Sequence, residues 1–233
     1  MKKSLDYLYL ILAAIQVYAV AAGHSTLQFA SKPLLMVVLV AYYIAAVKSN
    51  WNLTHKLMVA AFCFSWVGDV ALMFVEQNEN FFLLGLVGFL ITHILYTVAF
   101  AKVSAKEAEA LFPKKIWVTV PLLIYMGALL SMLIPAIYGN EHNRPVLIPV
   151  LVYTSAISVM VAFSINRFKR VSDKSFLLVF VGALLFMVSD SIIAINKFLS
   201  PFETAGIFIM ALYMAGQYLI AKGMLGQFLK TKP

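Results

Sequence analysis

Two aspartates, Asp69 and Asp190, stand inside long apolar stretches of this 233-residue chain, where a carboxyl group has few innocent uses. An ionisable side chain far from a bilayer surface costs about 2.5 to 3.5 kcal/mol on insertion scales, so it normally faces a partner or a wet cavity. Each aspartate lies about seven residues from the same end of its apolar run, which at about 1.5 Å per residue puts both roughly 10 Å deep and within reach of one shared site. Two buried acids close together cannot both ionise easily, so such a pair holds one proton between them and offers an acid and a base at neutral pH. Intramembrane acids also serve as proton relays in transporters, and they join helices through hydrogen bonds.

Counting inward along the other apolar runs brings Gln16, Tyr18, Tyr42, Tyr125, Tyr153, Thr154 and Tyr213 to a similar depth, where hydroxyls and amides can satisfy the carboxylates. Tyrosines at such a level also form the interfacial belt of membrane proteins. His93 lies nearer the membrane centre, with Tyr96 one turn further in. It can orient an aspartate, but no HExxH motif and no clustered His/Cys spacing accompanies it, so neither metal nor cofactor is expected. Lys32, Arg144 and Lys197 are the basic residues nearest this layer. They can hold a lipid phosphate or reach the interface with their charged ends.

The elements that must position these groups are membrane helices. The chain is 63% hydrophobic and 12% charged, far from the roughly 25% charged residues of a soluble domain. Apolar runs near the length of a membrane span recur from end to end. They predict an all-α polytopic bundle, a single transmembrane domain over 1–233, with spans at about 5–22, 33–48, 55–76, 81–102, 115–134, 146–166, 175–196 and 204–225. Breakers separate them: Lys32-Pro33, Phe112-Pro113, Arg144-Pro145 and Ser200-Pro201, while Pro121 and Pro149 fall just inside spans five and six, where a kink is expected. Met1-Lys2-Lys3 and the following apolar run resemble a signal peptide but are expected to remain as the first span.

The net charge of +8 reports topology rather than nucleic acid, because Lys and Arg sit in the connections instead of on a folded face. With the N-terminus inside, 15 of the 18 basic residues fall on the cytoplasmic side, Lys106, Lys230 and Lys232 among them, leaving Lys32, Arg144 and Lys197 outside. This asymmetry places both termini in the cytoplasm and the protein in the cell membrane, the inner membrane of a Gram-negative source. Spans one to four and five to eight then run in the same directions, as in two parallel four-helix repeats. Phe64-Ser65-Trp66-Val67-Gly68-Asp69 and Leu185-Phe186-Met187-Val188-Ser189-Asp190 occupy corresponding places, each ending in a small residue followed by Asp. Cys63 is the only cysteine, which excludes an intramolecular disulfide. Membrane lipids are the expected surroundings, and the sequence is silent on oligomeric state.

Five segments together resemble the YhhN-like lysoplasmalogenase family of multi-span membrane proteins. They are Ser31-Lys32-Pro33-Leu34-Leu35, the segment 64–69, Gly85 through His93 to Tyr96, Gly182 through Asp190 to Lys197-Phe198, and Tyr213-Met214-Ala215-Gly216-Gln217. The resemblance implies hydrolysis of the vinyl ether bond of a lysoplasmalogen, an alkenyl glycerophosphocholine or glycerophosphoethanolamine, to a fatty aldehyde and a glycerophospho-alcohol. On that reading Asp69 and Asp190 are the catalytic acid-base pair. Tyr96, Tyr125, Tyr153, Tyr213, His93 and Gln217 orient it or bind substrate, and Lys32 or Lys197 sits near the phosphate. A proton-coupled transporter or lipid-handling protein is the competing expectation, marked by a helix broken at mid-membrane.

Overall fold

The computed structural model describes residues 2–102 and 114–228. Among them eight helices are long and apolar enough to cross a membrane, and there is no strand. They are α1 (Lys2–Ala21), α2 (Ser25–Val47), α3 (Leu53–Leu72), α4 (Asn80–Ala101), α5 (Val120–Gly139), α6 (Leu147–Ile165), α7 (Asp173–Phe198) and α8 (Ala205–Gly226). The Phe112-Pro113 breaker and Lys106, Lys230 and Lys232 lie outside the described residues.

Local chemistry sets several boundaries. Asn52 caps α3 by accepting from the His55 amide at 3.0 Å, and Ser172 caps α7 by accepting from Ser175 at 3.3 Å, each satisfying an N–H that has no partner inside its helix. Pro121 and Pro149 fall in the first turns of α5 and α6, where a missing N–H removes no helical bond, so they start these helices rather than kink them.

The second helix departs from expectation. It begins at Ser25 and carries Pro33 inside it, so Lys32 belongs to the helix rather than to a loop before it. Membrane helices accommodate an internal proline when neighbouring hydroxyls and helices satisfy the polar groups around it. Here Ser31 Oγ lies 2.6 Å from both the Leu27 carbonyl and Gln16 Oε1 of α1.

The tightest helix pairs are α3 with α4 and α7 with α8. A Cβ added at Gly88 would stand 2.9 Å from Gly68 N and 3.0 Å from Phe64 O, and one at Gly216 would stand 2.8 Å from Gly182 O. These obstacles are backbone atoms, so only glycine permits the approach. In lipid, close packing of this kind replaces the hydrophobic drive that water supplies. The two pairs carry Asp69 and Asp190 respectively, and α4 packs on α6 as α8 packs on α2. Helix α5 lies at the rim against α6 and α7.

Contacts across the bundle identify its two ends. His142 Nε2 of the α5–α6 connection lies 2.5 Å from Glu79 Oε2 before α4. Lys197 at the end of α7 lies 4.5 Å above the Phe82 ring of α4, and Gly206 of α8 meets Val20 of α1. The α1–α2, α3–α4, α5–α6 and α7–α8 connections therefore share one end, called distal below. At the opposite, terminal end, fully buried Arg167 ties the α6–α7 connection to Gln227 (2.7 Å) and Ser175 (3.0 Å).

Candidate active site

Helices α4, α5, α6 and α7, with Leu72 at the end of α3, enclose a narrow apolar slot with a cavity volume of about 60 Å³. Phe82 and Phe198 stand toward its distal mouth, and Phe89, Ile157 and Met187 line its deeper part. Asp190 is in its wall, with a side chain only 8% exposed. Tyr153, also in the wall, donates its hydroxyl proton to Asp190 Oδ2 in a short hydrogen bond. His93 Nε2 lies 2.9 Å from that hydroxyl oxygen and 3.3 Å from Asp190 Oδ2.

The proton positions in this triad follow from valence. The Tyr153 proton is directed at the carboxylate, so Tyr153 accepts from His93 and Nε2 carries the hydrogen. His93 is completely buried beside the Phe186 ring at 4.8 Å, and its Nδ1 has no hydrogen-bond partner. The donor chain thus runs from His93 to Tyr153 to Asp190 Oδ2. Among the described residues no group forms a hydrogen bond with Asp190 Oδ1.

Asp69 has different surroundings. Tyr213 donates to its Oδ2 at 2.6 Å, and Lys32 Nζ lies 3.9 Å from Oδ1. Asp69 is 3% exposed and is absent from the lining of the slot. The extra turns of α2 are what place Lys32 here. Among the described residues the two carboxylates make no direct hydrogen bond, although each lies within the other's electrostatic reach. Aromatic rings connect the sites: Tyr213 packs on Phe186 at 5.3 Å and on Phe89 at 5.8 Å, and Phe186 packs on His93.

The remaining sequence-derived candidates divide between the slot and the rest of the bundle. Tyr125 lines the slot and donates to Ser191 Oγ at 2.9 Å. Lys197 is exposed at the mouth, above Phe82. Arg144, by contrast, is held by its own connection, donating to the Tyr138 carbonyl at 2.8 Å. Tyr96 and Gln217 belong to a separate buried network in which Tyr96 donates to Gln217 Oε1, Gln217 Nε2 donates to Ser65 Oγ at 2.9 Å, and Ser65 meets Thr92 at 3.1 Å. That network joins α3, α4 and α8 without lining the slot. Tyr18 is 61% exposed and takes no part in the polar layer.

Sequence reasoning missed Ser191, Ser65 and Thr92, although all three lie in or beside the motif segments it singled out. For Ser65 and Ser191 the signal available is a hydroxyl within four residues of an intramembrane acid. Among the described residues, no three or more His, Cys, Asp or Glu side chains converge as metal ligands would. As an arrangement, a carboxyl group with one anchored and one free oxygen in an apolar slot can transfer a proton to a poorly basic atom, and its carboxylate can stabilise a cation formed beside it.

Comparison with known proteins finds a matching family and a curated relative. The YhhN family is matched over residues 27–224. Lysoplasmalogenase TMEM86A of Bos taurus is 30% identical over 171 residues, which is 71% of this chain and 65% of that protein. The chain thus spans slightly less than two thirds of the length of this curated relative. No solved structure matches.

Proposed function

The chain belongs to the YhhN family, and from that premise we propose that it is a membrane hydrolase that cleaves the vinyl ether bond of lysoplasmalogens. The observation that carries the proposal is Asp190, set in the wall of an apolar slot with its Oδ2 held by Tyr153. The similarity to a protein named lysoplasmalogenase supports the substrate class.

The reaction begins with the alkenyl chain in the slot and the phosphate near Lys197. Asp190 and Lys197 are seven residues apart on one face of α7, about 10 Å along its axis, a span suited to the glycerol unit between ether and phosphate. Protonated Asp190 transfers its proton to the β-carbon of the enol ether, giving an oxocarbenium ion and a carboxylate. The hydroxyl of Tyr153, backed by His93, stabilises that carboxylate, while its charge and that of Asp69 favour the cation. Water adds to the cationic carbon and returns a proton to Asp190. The hemiacetal then collapses to aldehyde and alcohol, so one water is consumed and the acid is regenerated. Lys32 balances Asp69, which leaves Lys197 as the cation for the phosphate. The excess of basic residues at the terminal end supports a distal mouth on the outer side of the membrane.

The competing transporter reading expects a span interrupted at mid-depth, whereas α4, α6, α7 and α8 run unbroken past the polar layer. The test is aldehyde release by the purified protein in detergent from a lysoplasmalogen and from its saturated alkyl-ether analogue. Release from the vinyl ether alone, lost in Asp190→Asn, is the expected result. A well-folded protein that releases no aldehyde would overturn the proposal.

A further inference from the structure

Resting on that reading, the hydroxyls of the slot carry a second inference, about which lipids it accepts. Thr154 Oγ1 donates to the Val150 carbonyl at 2.8 Å and Ser158 Oγ to the Thr154 carbonyl at 2.7 Å, so both protons are turned back onto α6. Tyr153 serves Asp190. That leaves Tyr125 and Ser191, which face each other across the slot from α5 and α7.

The direction of their bond is determined by what lies behind it. Ser191 Oγ is 2.8 Å from the Met187 carbonyl, which can only accept, so the serine proton goes there. Ser191 therefore accepts the Tyr125 proton at 2.9 Å. Among the described residues nothing donates to the Tyr125 oxygen, whose own proton is committed to Ser191, so its lone pairs can accept. It is an acceptor in an apolar slot, bonded to the residue that follows Asp190 in the chain, and it calls for a donor carried by the substrate.

A lysolipid with an enol ether at one glycerol carbon carries a free hydroxyl at the next, about 3 Å from the ether oxygen by ordinary bond geometry. A diacyl-type lipid carries an ester there, which offers no donor and adds bulk. We infer that the Tyr125–Ser191 hydroxyl pair reads this free hydroxyl and thereby confines the site to lysolipids. A site built to bond a substrate hydroxyl discriminates strongly against the analogue lacking it, because the site's own polar group is then left unpaired.

The test compares an alkenyl lysophospholipid with its counterpart lacking the glycerol hydroxyl, a propanediol lipid. The wild-type protein is expected to favour the hydroxyl substrate in kcat/KM by roughly tenfold or more. Tyr125→Phe combined with Ser191→Ala should bring that ratio close to one, with thermal melting in detergent confirming the fold. A ratio unchanged in the double variant, including one in which both activities fall together, would overturn the inference. Binding of the two corresponding saturated ethers, which cannot be cleaved, separates this inference from the hydrolase reading. If the wild type binds the hydroxyl ether more tightly and the double variant does not, hydroxyl reading stands whatever the turnover; equal binding of both ethers to the wild type would overturn it.

Discussion

Asp69 and Asp190 occupy corresponding helices of the two halves of the chain, yet the bundle uses them differently. Asp69 has a tyrosine on one oxygen and a lysine near the other, and it lies away from the slot. Asp190 has its tyrosine and histidine gathered at one oxygen, leaves the other open, and faces an apolar space. Similar segments in similar places thus gave one carboxylate a lysine as counterion and set the other in the wall of an apolar slot. The two sites differ in what meets the second oxygen of each carboxylate, more than in depth or burial.

The largest effect that could break this contrast is the loss of the open carboxyl. Asp190→Asn should lower kcat by roughly 1,000-fold, within the range of general acid catalysis, while melting in detergent stays near that of the wild type. If Asp69→Asn gave an equal loss with an unchanged melting curve, the two sites would be chemically equivalent and the contrast would fail. The expected result instead is a destabilisation of about 3 kcal/mol, because Lys32 is left without its counterion, together with a smaller loss of turnover. Lys32→Met added to Asp69→Asn should recover much of that stability, a coupling read by comparing the four melting curves.

Tyr153→Phe removes the donor that stabilises Asp190 as a carboxylate. A hydrogen bond to a charged group contributes about 1.5 to 3 kcal/mol, so kcat should fall roughly 10- to 100-fold. Tyr213→Phe, the equivalent change at Asp69, should cost less in kcat and more in stability. The smallest effect belongs to the slot mouth. Lys197→Met should raise KM by about threefold to tenfold and leave kcat nearly unchanged, since an exposed cation contributes modestly and is screened by salt. An equivalent loss in kcat would mean that Lys197 acts on the chemistry rather than on the phosphate.

Much of this site was legible before any coordinates. The apolar runs gave the eight spans, and the depth of Asp69 and Asp190 within them marked the polar layer. Depth, however, is an axial coordinate, and pairing depends on rotation about each helix and on which helices are neighbours. For that reason Tyr153 and Tyr213 could be placed near carboxylates but not assigned to one each, while Tyr96 and Gln217 turned out to bond one another. Lys32-Pro33 misled because a lysine and a proline in sequence read as the border of a span. In lipid a proline persists inside a helix when hydroxyls and adjacent helices satisfy the groups around it, and that lengthening of α2 turned a phosphate candidate into the counterion of Asp69. The slot itself has no linear signature, since its walls come from five helices and their apolar side chains look like any lipid-facing surface.

Helix α5 differs from its neighbours in how little holds it. It packs on α6 and α7, and a methyl group placed on Gly127 would meet nothing within 4 Å. Yet it supplies Tyr125, Met126 and Leu129 to the slot, opposite the carboxyl group on α7. Substitutions act unevenly on such an arrangement: those in the glycine seams disturb the whole bundle, whereas those at Tyr125 and Met126 of α5 change the shape and hydrogen bonding of the slot and leave the buried Leu133 and Ile137 in place. This rim helix is therefore where the lining of the slot can be varied without rebuilding the seams that hold the bundle, and where a laboratory library aimed at reshaping the slot should be concentrated.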